Sequence, residues 1–172
     1  TFLLADVNND GKLDAVNPSN NAALGQGDGT FLRAPRPSVG VPGGSAVLAD
    51  INHDGKIDVV SGGVYQLHIG LGNGDGTFQD FYSLPLPSIS SFDTQAADLD
   101  HDGIVDLILS SESEIDLLIN NGDGTFQLPI RLDAPGLVRP SVGRVPRARV
   151  ILTDFDQNGL VDIIAAATLL RR

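Results

Sequence analysis

An acidic pattern of nine residues occurs four times in this chain of 172 residues. The copies read DVNNDGKLD, DINHDGKID, DLDHDGIVD and DFDQNGLVD, and they occupy residues 6–14, 50–58, 98–106 and 154–162, which we call loops 1 to 4. Oxygen-bearing side chains recur at positions 1, 3, 5 and 9, and the Gly at position 6 permits the sharp turn that folds them inward. Oxygens arranged in this way can surround a hard cation, so the pattern predicts a metal-binding loop in each copy.

Calcium is the cation that this ligand set favours. The set is rich, flexible and all oxygen, which suits calcium better than magnesium, and no Cys or His stands at a ligand position, which disfavours zinc. A backbone carbonyl at position 7 completes each predicted site, so we expect about four Ca²⁺ per chain. The predicted ligands are Asp6, Asn8, Asp10, Lys12 and Asp14; Asp50, Asn52, Asp54, Lys56 and Asp58; Asp98, Asp100, Asp102, Ile104 and Asp106; and Asp154, Asp156, Asn158, Leu160 and Asp162.

Two other interpretations of the loops are weaker. An EF-hand needs a bidentate Glu at position 12 between two helices, whereas position 12 holds Asn17, Ser61, Leu109 and Ala165 in the four copies. The residues after the Gly form apolar, β-branched runs typical of strands. A solvated turn explains one isolated copy but not four copies in phase.

The charge of the chain agrees with cation binding. The net charge is −11, from 11 Lys and Arg against 22 Asp and Glu, and 13 of those acids lie in the loops. Four calcium ions would bring the charge to about −3 and stabilise the fold, an effect that acid should weaken by protonating the ligands. The acidic balance disfavours binding to nucleic acids or anionic lipids, and the absence of Cys excludes thiol catalysis and disulfides.

Internal repetition predicts the fold. The loops start 44, 48 and 56 residues apart, and a second motif, GDGTF, recurs in phase at residues 27–31, 74–78 and 122–126. Short apolar runs between these turns predict four antiparallel strands per unit, in the second unit at residues 45–49, 57–61, 65–72 and 77–84. We therefore expect an all-β fold of β-propeller blades in one repeat array, with units at about 1–44, 45–92, 93–147 and, in part, 148–172.

About three and a half blades are fewer than a ring usually needs. The chain is then a fragment of a longer chain that carries the remaining blades, an open arc, or a half-propeller that closes as a homodimer. Its longest apolar run, residues 163–167, is too short for membrane insertion, and the first residues resemble neither a leader nor a native start, which suggests a processed or excised piece.

The run DINHDGKID, followed by a β run and then LGNGDGTF, resembles the FG-GAP or VCBS-type repeats of integrin-α-like propellers. This resemblance covers essentially the whole chain. It implies an extracellular module, secreted or at the cell surface, that serves adhesion or recognition by binding glycans or proteins, and occasionally an accessory module of a secreted enzyme. It does not imply catalysis.

A binding surface is predicted at the end of the blades opposite the acidic loops. The crossovers between units, at about 35–44, 83–94 and 133–147, are long and rich in Pro, and binding residues are common on such loops. Tyr65, Tyr82 and Phe92 lie on or beside this end and are open to two interpretations, sugar stacking or ordinary packing. The third crossover is rich in arginine, which indicates either an anion-binding patch or a solvated loop: Arg131, Arg139, Arg144, Arg147 and Arg149.

Two classes of function remain, a calcium-stabilised recognition module and a purely architectural repeat of a larger secreted or surface protein. An enzyme is not expected, because no nucleophile is paired with a base. His53 and His101 stand at the fourth, non-ligand position of their loops, and His68 lies within a predicted strand.

Overall fold

The computed structural model describes residues 2–17, 21–34, 45–86, 93–111, 114–133 and 148–167. Fourteen β-strands account for the regular structure of these ranges. No helix within them has the length and apolarity needed to cross a membrane. The strands are β1 Leu3–Ala5, β2 Asp14–Asn17, β3 Asn21–Gly25, β4 Phe31–Arg33, β5 Ala46–Ala49, β6 Asp58–Gly62, β7 Gln66–Gly70, β8 Tyr82–Pro85, β9 Asp93–Ala97, β10 Asp106–Ser110, β11 Glu114–Leu118, β12 Ile130–Asp133, β13 Ala148–Thr153 and β14 Asp162–Ala167.

The strands form three four-stranded antiparallel sheets and one two-stranded sheet. Each four-stranded sheet follows chain order, β1 to β4, β5 to β8 and β9 to β12, and β13 pairs with β14. Consecutive antiparallel strands joined by short turns are the blade unit of a propeller. The prediction of an all-β fold with about three and a half blades is confirmed, and the sheets are called blades 1 to 4 below.

The first strands of neighbouring blades lie side by side. Strand β5 contacts both β1 and β9, and β10 contacts β13, so the blades are arranged around their first strands and diverge outwards. Apolar side chains fill the space between consecutive blades. Between blades 2 and 3 the core includes Ile51, Val60 and Leu67 on one side and Leu107 and Leu118 on the other, all nearly or fully buried.

The last strand of blade 2 begins later than the sequence predicts. In blade 2 the range 77–84 was expected, but only Phe78 forms an isolated bridge, to Gly72, before β8 starts at Tyr82. Ile69 pairs with Tyr82, whereas Gly72 pairs with Phe78, so the register shifts by one residue between the two pairings. The segment leading into β8 therefore has one residue more than its partner, which is a β-bulge. Blade 3 has the same shift, and Pro129, which cannot donate to a ladder, precedes its last strand. Blade 1 keeps one register throughout, so its last strand follows the turn directly.

The Phe residues of the GDGTF motifs pack between blades in two of three cases. Phe78 is buried in the core between blades 1 and 2, and Phe126 packs against the core between blades 2 and 3. Phe31 is 49% exposed because no described residue covers its side of blade 1. The boundaries of the units remain predictions, since the crossovers at 35–44, 87–92 and 134–147, with Phe92, lie outside the described residues.

His68 is part of the blade 2 packing. Its ring is 5% exposed, and its centroid lies 5.3 Å from that of Phe81 in an edge-on arrangement. Its Nδ1 lies 3.0 Å from Ser83 Oγ and its Nε2 3.3 Å from the amide nitrogen of Gln66. Burial lowers the pKa of His68, so the folded protein favours the neutral ring.

This lowered pKa makes His68 an acid-sensitive element of the fold. Stability from the neutral ring is complete above the unfolded pKa of about 6.5 and is lost as pH falls below it. We expect the Tm of the wild type to fall more between pH 7 and pH 5 than that of His68→Gln, measured at one fixed calcium concentration. His101→Gln is the control, because its side chain is exposed and Gln157 occupies the same position in loop 4. Equal falls for wild type and His68→Gln would contradict the prediction.

Candidate metal sites in the acidic loops

The four acidic loops share one backbone conformation. The Gly at position 6 has a φ between 80° and 87° in every loop, a region that a residue with a Cβ adopts only with strain. Position 4 is also left-handed although it is never Gly. Asn and His enter this region more readily than most residues. The residues at position 4 are Asn9, His53, His101 and Gln157, with φ of 58°, 55°, 62° and 60°.

The carboxylate at position 1 accepts hydrogen bonds from backbone N–H groups on the far side of the loop. In loop 2, Asp50 Oδ1 accepts a hydrogen bond from the N–H of Asp54 at 3.1 Å, and its Oδ2 accepts one from Gly55 at 2.8 Å. Loops 1 and 4 repeat both bonds. At position 5, the side-chain oxygen accepts the N–H of position 7, at 3.0 Å in loop 2. The side chains are therefore turned inward by the backbone itself.

Position 9 is buried at the start of the second strand in blades 1 to 3 and half-buried in blade 4. Asp58 is fully buried, and its Oδ2 accepts the N–H of Ile51 at 2.8 Å while its Oδ1 accepts that of Gly72 at 2.7 Å. Asp14 and Asp106 make the equivalent pairs of bonds. This carboxylate thus joins the acidic loop to the turn between the third and fourth strands, a role that the sequence analysis missed.

In loops 2 and 3 the environment of position 9 disfavours the negative charge of its carboxylate. Burial, followed by the charges of Asp54 and Asp50, raises the pKa of Asp58 although backbone hydrogen bonds oppose the rise. Burial likewise raises the pKa of Asp106, with Asp100 and Asp102 adding to the effect. A cation beside these groups would reverse the balance, because it favours the ionised form.

Loops 3 and 4 bring their carboxylates together as a metal site requires. In loop 3, oxygens of Asp98, Asp100 and Asp106 lie within 4.8 Å of one another, and in loop 4 those of Asp154, Asp156 and Asp162 do the same. In addition, Asp98 Oδ1 is buried and has no hydrogen-bond partner. A buried, unpaired carboxylate oxygen is costly unless a ligand satisfies it, so these residues fit a cation.

The remaining predicted ligands are placed differently. Position 5, Asp102 or Asn158, is outside the two groups of acids and is bonded to the N–H of position 7. Loops 1 and 2 have an Asn at position 3, Asn8 or Asn52, and hence fewer carboxylates there. The carbonyl ligands predicted at position 7 remain predictions.

Lysine at position 7 distinguishes loops 1 and 2 from loops 3 and 4. Lys12 Nζ lies 3.4 Å from Asp10 Oδ2, and Lys56 Nζ lies 3.2 Å from Asp54 Oδ2. The stem of Lys56 runs over Gly74, where an added Cβ would lie 3.1 Å from it. Ile104 covers the corresponding Gly in blade 3. An apolar stem or side chain at position 7 therefore packs over this Gly in both blades, whereas only loops 1 and 2 carry the ammonium charge.

In loops 1 and 2 a backbone carbonyl accepts a hydrogen bond from the following blade. The carbonyl of Val7, at position 2 of loop 1, accepts a hydrogen bond from Gly76 N in blade 2 at 3.1 Å. The carbonyl of Ile51 in loop 2 accepts one from Asn120 Nδ2 in blade 3 at 2.8 Å. The loops and GDGT turns therefore share one end of the blades.

Gly72 lies where the turn passes closest to the loop. A Cβ at this position would overlap the carbonyl oxygen of Ile57. Blade 3 carries Asn120 here, and its Nδ2 donates to the equivalent carbonyl, that of Val105, at 2.9 Å. We expect Gly72→Ala to lower the free energy of unfolding by about 2 kcal/mol in urea denaturation. The added methyl group would overlap the carbonyl oxygen of Ile57 and, unlike the side chain of Asn120 at the equivalent carbonyl, cannot donate a hydrogen bond to it. Gly70→Ala is the milder control, and an equal loss for both would contradict the explanation.

At the opposite end of blade 2, the turn between β6 and β7 exposes apolar and aromatic side chains. Gly63 N donates to Gln66 O at 2.8 Å, and between them Val64 and Tyr65 are 69% and 52% exposed. Tyr65 has a φ of 58°, an unusual value for a bulky residue. Strained residues of this kind are frequent at functional sites.

Two other predicted binding residues, Tyr82 and Arg131, make hydrogen bonds within the protein, and three of the predicted arginines lie outside the described residues. The hydroxyl of Tyr82 donates to Gly124 O at 2.8 Å, which ties β8 to the turn of blade 3 at the end that carries the acidic loops. Arg131 pairs with Asp116 through Nε at 3.0 Å and Nη2 at 3.1 Å. Arg139, Arg144 and Arg147 lie outside the described residues, so the anion-binding patch remains a prediction.

A cavity of about 300 Å³ lies between the outer parts of blades 2 and 3. Its walls are largely apolar, and its size is at the low end for small-molecule sites. It is lined by Leu84, Pro85, Leu86, Asp116, Leu118, Phe126, Gln127, Leu128 and Pro129.

Comparison with known proteins gives one family and a fold. Three overlapping ranges, residues 6–61, 50–109 and 98–165, match the family model of the FG-GAP-like repeat. A search of curated proteins found no match.

Two solved structures share the fold. An Agrocybe aegerita lectin, described for its specific recognition of non-reducing terminal N-acetylglucosamine, is 22% identical with a TM-score of 0.68, over 96% of this chain and 46% of the lectin chain. The Tc holotoxin pore of Photorhabdus luminescens is 20% identical with a TM-score of 0.62, over 95% of this chain and 8% of the toxin chain. The chain therefore spans less than half the length of either.

Proposed function

Because this chain belongs to the FG-GAP-like repeat family, we propose that it is a calcium-stabilised recognition module, which binds glycans or proteins through the end of the blades opposite its acidic loops. The observation that carries the proposal is the buried, unpaired Oδ1 of Asp98 beside Asp100 and Asp106. A cation in this position would satisfy the oxygen and neutralise the three carboxylates.

Calcium would be held by positions 1, 3, 5 and 9 of each loop. When bound, it supplies positive charge to loops that hold 13 of the 22 acidic residues. The chain itself helps to orient the ligands, because backbone N–H groups donate hydrogen bonds to the side chains of positions 1, 5 and 9. Loops with a modest number of carboxylates suit millimolar calcium, so we place the protein outside the cell.

The recognition surface is proposed on the exposed turn at residues 63–66. Tyr65 presents half of its surface to solvent at the rim of a rigid blade, and an aromatic ring there can stack on the apolar face of a sugar. The lectin of the same fold supports a glycan as the first ligand class to test.

A glycan array with calcium present tests this function, with terminal N-acetylglucosamine as the first probe. We expect saturable binding by the wild type and by Tyr65→Phe, and loss of binding by Tyr65→Asn, which removes the ring but tolerates the left-handed backbone. Binding that survives Tyr65→Asn would contradict the turn as the contact and favour the cavity between blades 2 and 3. No binding by folded, calcium-loaded protein would contradict glycan recognition.

An exposed Phe favours a second candidate, an architectural module that completes a larger propeller. Phe155, at position 2 of loop 4, is 77% exposed, whereas the equivalent Val7 and Ile51 are buried against the next blade. Such a face fits another blade, either from a longer chain or from a second copy. Native mass spectrometry from calcium buffer separates these cases: a monomer with about four ions favours an arc or a longer parent chain, and a dimer with about eight favours two half-propellers. Neither candidate involves catalysis.

A further inference from the structure

The four acidic loops differ in charge although they share a backbone. Loops 1 and 2 each carry three carboxylates and one lysine, a net charge of −2, whereas loop 4 carries three carboxylates and no lysine, and loop 3 carries four. Calcium affinity in oxygen-ligand loops depends on the number of charged ligands. We propose that the loops fill in a fixed order, loop 3 first, then loop 4, then loops 1 and 2, and that Lys12 and Lys56 set the low affinity of the last two. This inference rests on the proposed calcium binding.

The lysines are placed to oppose a cation. Lys12 and Lys56 are the only lysines of the chain, and both stand at position 7 of a loop. Each ammonium group pairs with the position-5 carboxylate, Asp10 or Asp54, that the metal would use. An ammonium a few ångströms from a divalent ion repels it, and the pair must loosen before the carboxylate can turn fully to the metal. We expect each such charge to lower affinity about tenfold at low ionic strength.

The lysine charge is separable from its packing. The stems of Lys12 and Lys56 lie over Gly27 and Gly74, as Ile104 lies over Gly122. Exchanging Lys for Ile at this position therefore keeps the cover over the glycine that blade 3 already has, and removes only the ammonium. Lys→Ile in loops 1 and 2 and Ile→Lys in loop 3 are therefore matched substitutions, because each introduces a residue that another loop already carries at position 7.

Loop 3 has a further reason to fill first. In loops 1, 2 and 4 the position-1 Oδ1 accepts the N–H of position 5, at 3.1, 3.1 and 3.0 Å. All four loops also have a bond from the N–H of position 5 to position 3, and in loop 3 the N–H of Asp102 makes only this bond, to Asp100, so Asp98 Oδ1 is left buried without a partner. A ligand oxygen that gives up no hydrogen bond costs less to recruit, so this difference adds to the effect of the fourth carboxylate.

A calcium titration against a chromophoric chelator at low ionic strength tests the order, with native mass spectrometry counting the ions bound. The wild type is expected to show stepwise constants that span about 100-fold. In the double variant Lys12→Ile and Lys56→Ile, the two weakest constants should tighten about tenfold and the others stay unchanged. In Ile104→Lys the tightest constant should weaken about tenfold. Added salt should narrow the spread, because it screens exposed charges.

Arg33→Gln is the control, since it removes one positive charge from an exposed position outside the loops and should leave all four constants within about twofold. Four equal constants in the wild type would overturn the inference and leave calcium binding intact. Weak constants that do not respond to the loss of both lysines would also overturn it. No calcium binding at any loop would overturn the inference together with the calcium part of the proposed function.

Discussion

Removing calcium with EDTA at neutral pH is expected to lower the free energy of unfolding by about 5 kcal/mol. A site filled at about 100 times its dissociation constant contributes about 2.7 kcal/mol, and we expect two loops to reach this regime in millimolar calcium. Without metal, the 13 carboxylates of the loops repel one another, and those of Asp58 and Asp106 are also buried. Urea denaturation in calcium and in EDTA measures the difference.

The same difference should shrink in acid. Bound calcium favours ionised ligands and lowers their pKa values relative to the unfolded chain, so the stabilisation is complete at neutral pH and is lost as the ligands are protonated. Magnesium at the same concentration is the control, because it suits these flexible loops less well. A Tm that is unchanged by EDTA at neutral pH would contradict the metal account of the loops.

Replacing Asp58 by Ala is expected to cost about 3 kcal/mol of unfolding free energy without calcium, and more with calcium, because a metal ligand is then lost as well. The substitution leaves the N–H groups of Ile51 and Gly72 buried without acceptors, and each such group costs about 1–3 kcal/mol. The raised pKa of Asp58 indicates that its charge is itself costly, which limits the net loss.

Asp54→Ala is the matched comparison for Asp58→Ala. Asp54 belongs to the same loop but lies at its exposed position 5, so in EDTA its loss should be small and in calcium it should grow with the lost ligand. Urea denaturation of both variants under both conditions gives four values. If Asp58→Ala destabilises the protein only when calcium is present, position 9 acts through the metal alone and the structural role assigned to it is wrong.

The blade architecture follows from the sequence because its signals are local and repeated. Strand and turn chemistry in DINHDGKID and GDGTF fixes where the chain reverses, and four copies in phase outweigh the ambiguity of any one. The late start of β8 was not predictable in this way. It depends on a one-residue bulge after Phe78, and a bulge changes register without changing the alternation of apolar residues much.

The residues of the candidate sites could be predicted from the sequence, but the different role of each residue could not. The spacing of oxygens marks every position of the loops as a ligand, and nothing in that pattern separates Asp58, which is committed to two backbone N–H groups, from Asp54, which is exposed. One signal was available, since Asp58 stands between Ile57 and Val59 at the start of a buried strand. The pairing of Lys56 with Asp54 needs the geometry of the loop and could not be read from the spacing alone.

The packing of loops 1 and 2 on the following blade has a consequence for synthesis on the ribosome. Val7 belongs to the same apolar cluster as Phe78, which is translated about 70 residues later. At about 5–20 residues per second, that interval lasts roughly 4 to 14 seconds. Ile51 and Leu118 share another apolar cluster, and a similar time separates their synthesis. The nascent chain therefore always carries one uncovered apolar blade face behind the growing end, so slower elongation prolongs the period in which chaperones, or another nascent chain, can bind it.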